Sequence, residues 1–295
     1  MADIHMMALR HSAFYAPYLM TIAGGYLEKQ GLKPVYTPQT PANLVADAFD
    51  QGRCHVAQSA VGANFAALEA GQIDNLVQFA QINERDGFYI AAREADDDFT
   101  WDKLCQREIL VDHFFQPLAM FKYGLHKQGV AFNDINAIDA GDVGAIDEAF
   151  RNGQGEFVHM QGPAPQQLEH DGIGHVVAAV GDAVGPVAFS SICARREWLE
   201  TDMAAAFMGA YRQARDFVIN APATDTARLL SPQLPGIDLE VLSNTISAYK
   251  RLGNWTPHVE ITREAYENLL DVFLYSNLIT KRHDYELSVV APPLA

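Results

Sequence analysis

The chain repeats itself, and that repetition limits what it can fold into more than any other feature. Tyr26-Leu27-Glu28-Lys29-Gln30-Gly31-Leu32 returns as Gly124-Leu125-His126-Lys127-Gln128-Gly129-Val130, and Ala48-Phe49-Asp50-Gln51-Gly52-Arg53 returns as Ala149-Phe150-Arg151-Asn152-Gly153-Gln154. Gly31 and Gly129 are 98 positions apart and Gly52 and Gly153 are 101 apart, so the two spacings nearly agree. Each copy reads as a helix closed by glycine, a short strand, a second helix closed by glycine and another apolar strand. Two such copies predict two similar α/β lobes, with the cleft between them as the place to hold a small ligand. Coincidence is the competing account, since helix-glycine-strand is common in any α/β chain.

The 295 residues suffice for two lobes, each with its own core, and 49% hydrophobic with 20% charged residues is ordinary for a globular chain. A net charge of −16 argues against nucleic acid and anionic membranes as partners, because both require a basic face. Cys54, Cys105 and Cys193 are scattered without CxxC spacing, a poor pattern for zinc or for a disulfide framework. Met1 to Leu9 enters an apolar strand at once, with no basic-then-apolar leader and no run long enough to span a membrane. The expected location is therefore cytoplasmic if Met1 is the native start, and periplasmic if an export signal has been trimmed.

Strands are predicted at 4–9, 33–37, 55–58, 76–81 and 88–92, then at 108–111, 137–138, 157–160, 175–180 and 187–191. Helices are predicted at 17–30, from the Thr40-Pro41 cap to Gln51, and at 61–70, 116–128, 145–151 and 163–170. From Thr201 onward the pattern is helical, at 201–220, 225–230, 239–249 and 262–275. Alternating strand and helix implies an α/β fold of two similar lobes with mainly parallel sheets joined by two crossings, the first at 82–87. The expected division is residues 1–85 plus 188–295 for the first lobe and 86–187 for the second, with the helical carboxyl third packed on the first lobe.

Phe14-Tyr15-Ala16-Pro17-Tyr18, Gly24-Gly25-Tyr26-Leu27 and Gln30-Gly31-Leu32 resemble the opening of one solute-binding family. It comprises the sulfonate, nitrate and thiamine-precursor binding proteins of ABC importers, together with the yeast-type thiamine-pyrimidine synthases. Ala67-Leu68, Gly71-Gln72-Ile73-Asp74, Gly153, Phe157, Pro163 to Leu168 and Gly172-Ile173-Gly174 continue the likeness, which spans roughly residues 3–220. The resemblance implies the type II periplasmic-binding-protein fold, a hinged clamp closing on a ligand, with an ABC-transporter permease as its partner. It also implies which enzymatic branches to weigh. The synthases place a histidine where this chain reads Ser59-Ala60-Val61-Gly62-Ala63-Asn64-Phe65, and a cysteine cluster where it reads Phe189-Ser190-Ser191-Ile192-Cys193. The related aromatic sulfinate desulfinases place a nucleophilic cysteine where this chain has Ser12. Neither chemistry is matched, so no catalytic residue is assigned.

In such a clamp the ligand lies at strand carboxyl ends, facing helix amino termini whose free N–H groups attract anionic oxygens. The candidate ligand-binding residues are His11, Phe14, Tyr15, Thr40, Ser59 and Ala60 from the first lobe. From the second they are His113, Phe114, Phe115, Gln116, His159, Met160 and Gln161. Aromatics and a histidine on each side suit a flat ligand, heteroaromatic or aromatic and anionic. The opposing account is that Phe14 and Phe115 are core and the histidines surface. Asp112, His113 and His159 superficially suggest a metal set, but no spacing enforces one, and neither a metal nor a cofactor is expected. Gly141-Asp142-Val143-Gly144 lacks both the P-loop lysine and the dinucleotide spacing. Two functions stay open: a binding protein that captures a small organic ligand for transport or sensing, and a cytoplasmic enzyme using His11 or His113 as acid/base on a heterocyclic or aromatic substrate such as a thiamine-pyrimidine precursor.

Overall fold

The computed structural model describes residues 1–294. Among these described residues ten strands lie in two five-stranded sheets. The first contains β1 (Ala2–Ala8), β2 (Leu32–Pro38), β3 (Val56–Ser59) and β4 (Leu76–Asn83). The second contains β5 (Phe88–Ala92), β6 (Glu108–Val111), β7 (Asn136–Ile138), β8 (Phe157–Gln161) and β9 (His175–Ala179). The chain then returns, and β10 (Ser190–Arg195) joins the first sheet. The orders are β2-β1-β3-β10-β4 and β7-β6-β8-β5-β9, one order written twice.

In each sheet four strands point the same way and one is reversed. β10 runs antiparallel to both β3 and β4, and β5 runs antiparallel to both β8 and β9. The reversed strand is in each case the first one after a crossing between lobes. Both crossings meet at one place, where the Val187 N–H donates to the Glu84 carbonyl at 2.8 Å. β5, inside its sheet, is buried throughout, and β4 is nearly so although it ends its sheet, because Asn254, Val259 and Val290 hydrogen-bond along its outer edge; edge strand β2 alternates buried and open positions.

The repeated glycines explain why the two copies turn alike. Gly31 and Gly129 follow their helices at φ 77° and 79°, a left-handed conformation that glycine adopts without steric cost. One expected helix is broken: instead of a single span over 17–30, there are helices Ala16–Ala23 and Tyr26–Lys29. The Tyr26 ring folds against Gly24, where an added Cβ would lie 2.4 Å from it, and Gly25 turns the chain at φ 65°. Thr40 does not cap a helix. It forms a bridge with Asn43, the helix starts at Val45, and the Gln39 side-chain oxygen accepts the Val45 N–H at 2.9 Å instead. Between the strands expected at 175–180 and 187–191 lies a short helix, Val180–Val184, which takes the last residue of the first of them.

The carboxyl third is helical at Asp202–Asn220, Ala223–Leu230, Leu239–Leu252 and Arg263–Tyr275. Thr201, Asp238 and Thr262 cap three of these by accepting first-turn N–H groups. Asp202–Asn220 packs on Ala16–Ala23 of the first lobe, as expected, but two helices reach farther. Leu239–Leu252 touches Ala164–His170, and Arg263–Tyr275 touches Phe115–Lys127, both in the second lobe. The Tyr249 hydroxyl lies 3.2 Å from the carbonyls of both Gly87 and Gly162, tying helix, crossing and second lobe together. Among the described residues no helix is long and apolar enough to cross a membrane.

Candidate functional site

The carboxyl ends of β1, β3, β6 and β8 converge on a cavity of about 220 Å³ between the sheets. Leu9, Arg10, Tyr15, Gln39, Gln58, Ala60 and Ala63 line it from the first lobe. Phe114, Phe115, Gln116, Pro117 and Gln161 line it from the second, and Phe189 and Ser190 from the returning crossing. Aromatic faces therefore close on a space edged by four side-chain amides. Larger hollows lie elsewhere, one of about 430 Å³ around Tyr89, Glu169 and Arg251 and one of about 530 Å³ around Arg212 and His258. Neither lies where the strand ends of both sheets meet, which is where an open α/β fold presents its binding loops.

Two polar bonds cross the cleft beside the cavity. Arg10 places both terminal guanidinium nitrogens 3.3 Å from Asp112 Oδ2, and the Asp112 side chain is only 8% exposed. The guanidinium also stacks over Phe114, 4.6 Å from the ring centre. Ser12 Oγ donates to Gln161 Oε1 at 3.0 Å. Beyond that bond lies a second hollow of about 560 Å³ that shares Arg10 and Gln161 with the cavity and is edged by His11, Val143 and Arg151. Gln116 reaches over from the second lobe and donates its amide to the Phe189 carbonyl at 2.7 Å.

Tyr15, Ala60, Phe114, Phe115, Gln116 and Gln161, all expected from the sequence, line the cavity. Residues near 14 and near 115 thus do face one another. His11 borders only the outer hollow, with Nδ1 2.8 Å from the Tyr36 hydroxyl and Nε2 2.6 Å from the Gln233 carbonyl. The structure places the remaining expected residues off the wall. Phe14 is fully buried behind it, packed on Tyr15, Phe189 and Tyr249. Thr40 is in its turn, Ser59 lies within the first sheet opposite Ser191, and Met160 is in the second-lobe core. His113 folds back, its Nδ1 2.9 Å from the Val111 carbonyl.

His159 is the clearest departure. It is fully buried between Phe88 and Phe121, stacked at 4.7 and 4.6 Å, and neither ring nitrogen has a hydrogen-bond partner. Burial pulls its pKa down to about 3, so the ring behaves as a neutral aromatic. Tyr15 is shifted the other way, its phenol pushed up to about 12 by burial. Among the described residues no group of three or more His, Cys, Asp and Glu could hold a metal ion, and the three cysteines are free.

Arg10 is the main residue that sequence reasoning missed. It sits one position before the loop singled out at 11–15 and has no motif of its own. A signal existed: Arg10-His11 at the end of β1 stands 102 positions before Asp112-His113 at the end of β6. Extending the repeat to those ends would have paired the two charges. Asp86 in the first crossing is also informative. It is fully buried, accepts the Phe88 N–H at 2.6 Å with one oxygen and has no partner for the other. Burial pushes its pKa up to about 8.

With this geometry in view, comparison with known proteins gives a consistent result. The family model described as NMT1/THI5 like matches residues 13–225. The Bacillus subtilis (strain 168) protein YtlA, described as a candidate binding protein, is 26% identical over 294 residues, covering 97% of this chain and 86% of that one. The periplasmic aliphatic sulphonate binding protein SsuA of Escherichia coli superposes with a TM-score of 0.74 at 17% identity, covering 100% of this chain and 94% of that one. The periplasmic nitrate-binding protein NrtA of Synechocystis PCC 6803 gives a TM-score of 0.61 at 16% identity, covering 90% and 74%. At such identities the two solved structures establish the shared fold, and with it the periplasmic-binding-protein architecture.

Proposed function

This chain belongs to the NMT1/THI5-like family, and we propose on that premise that it is a binding protein whose two lobes clamp a small, flat organic ligand. One observation carries the reading: a single cavity receives Tyr15 from one lobe and Phe114 and Phe115 from the other, while two polar bonds join the lobes at its edge. Aromatic faces on opposite jaws bind a planar guest through area and stacking, and the Gln39 amide nitrogen and Gln116 amide oxygen, whose other ends are tied to Val45 and Phe189, supply edge-on hydrogen bonds. The cavity only closes when the lobes do, so capture and closure are one event. YtlA is described as a candidate binding protein, and the structural neighbours are named for sulfonate and nitrate, which supports transport or sensing by a shared device. A transporter permease that reads the closed form is the expected partner.

The imidazoles do not favour the enzymatic alternative. His11 is held at both nitrogens outside the cavity, and His113 is turned back on its own strand. A thermal-shift screen over pyrimidines, aromatic acids, amides and sulfonates tests the proposal. A ligand at 100 times its dissociation constant stabilises the folded form by about 2.7 kcal/mol. Stabilisation without product formation is the expected result. A complete absence of response, or turnover that His113→Ala abolishes while binding persists, would sink it.

A further inference from the structure

The charges at the cavity fix what kind of guest it accepts. Arg10 is the one charged side chain among the described residues lining the cavity. Its charge is already countered, because one N–H of each terminal nitrogen faces Asp112 Oδ2. Asp112 is itself held: its other oxygen accepts the Phe114 N–H at 2.8 Å, and little of it reaches solvent. An anionic guest that took Arg10 would leave a buried carboxylate without its partner, a state far costlier than never forming the pair. Asp86 is near enough for the Arg10 charge to act on its carboxyl, but the ion pair of Arg10 is with Asp112, and burial pushes the Asp86 pKa up to about 8. What the wall offers instead is uncharged: four glutamine amides, the Tyr15 and Ser190 hydroxyls and the aromatic faces. Gln161 is committed within the wall, its oxygen accepting from Ser12 and its amide nitrogen buried beside the Tyr15 hydroxyl.

We infer that Asp112 is a specificity-determining residue: by pairing with Arg10 across the cleft it makes the cavity a site for uncharged planar ligands with hydrogen-bonding edges, such as heteroaromatic amines or carboxamides, and closes it to anions. This rests on the binding reading above and narrows it to one charge class. Arg10 then serves as a flat cap, stacked on Phe114 and countered in charge by Asp112.

The test is Asp112→Asn. Asparagine keeps the oxygen that accepts the Phe114 N–H, so the loop retains its turn, while Arg10 is released from its ion pair. Wild type and variant are titrated with sodium sulfate, sodium nitrate and benzoate against sodium chloride at matched ionic strength, with benzamide and the uncharged hits of the screen alongside. Far-UV circular dichroism checks the fold. In wild type the anions are expected to give no saturable stabilisation beyond chloride. In Asp112→Asn they are expected to bind at least tenfold more tightly, with the uncharged ligands weakened, and adding Arg10→Gln should erase the gain. If wild type binds sulfate, nitrate or benzoate as tightly as the variant does, the inference is overturned and the binding reading stands. It is overturned equally if the variant gains no anion site while wild type still binds an uncharged compound. If neither protein binds any compound in the set or the screen, the binding reading itself fails and takes this inference with it.

Discussion

The two lobes share a strand order, yet the loops that leave the equivalent strands β1 and β6 carry opposite charges. Arg10-His11 follows β1 and Asp112-His113 follows β6, so the duplicated scaffold brings a cation and an anion face to face. The difference teaches that the repeat supplies position and its divergence supplies chemistry. A second asymmetry is in support. The first lobe is covered by Asp202–Asn220, whereas the second meets the carboxyl helices mainly through Leu239–Leu252 and Arg263–Tyr275.

The strictest check on this equivalence lies in the cores. Phe49 and Phe150 hold the same place in the repeated helix, 3% and 0% exposed, each in a small cluster of its own. Phe49→Ala and Phe150→Ala should each cost about 3–5 kcal/mol in urea unfolding. A loss confined to one of them would break the comparison.

Acid and base should then act on the two buried groups in opposite senses. The folded protein holds the Asp86 proton up to about pH 8, whereas an unfolded aspartate releases it near ~4. Folding therefore takes up a proton in that window, and this contribution, fully present below ~4, is lost as pH climbs to about 8. His159 behaves inversely: unfolded it protonates near ~6.5, folded only near about 3, so stability falls as pH drops through that range. Urea midpoints between pH 7 and 9, above the His159 window, should rise toward acid in wild type and flatten in Asp86→Asn. Between pH 6.5 and 4 they should fall less in His159→Phe than in wild type. An unchanged slope in Asp86→Asn would mean that its carboxyl is hydrated in the folded state.

Tyr249→Phe is expected to cost about 1–2 kcal/mol, the scale of one buried hydrogen bond. It should also raise the radius of gyration in small-angle scattering, because it frees the first crossing from Gly162. An unaltered radius would show that the helix covers the lobes without restraining them. At the bottom of the scale, Arg107→Ala removes a 2.7 Å ion pair with Glu156 whose partners are 55% and 49% exposed, and should change stability by no more than about 0.5 kcal/mol.

The repeated glycines and apolar strands made the paired architecture legible, because those residues act through local backbone geometry. Facing of Tyr15 with Phe115 was legible too, since it follows from duplication. His159 was not. β8 is buried on both sides, so its alternation carries no sign of which face meets the ligand. Arg10 was invisible for another reason: its partner lies 102 positions away and meets it only across the cleft of the folded chain. The broken first helix depended on how the Tyr26 ring packs against Gly24, a tertiary detail.

The reversed strands have a consequence for how this molecule is made. All five strands of the second sheet come from one unbroken stretch, β5 to β9, but β10 must slot between β3 and β4 to complete the first. On the ribosome, the half whose synthesis begins first is therefore the half that finishes last. Its open slot waits, with unpaired edges on both sides, until the other half has been made.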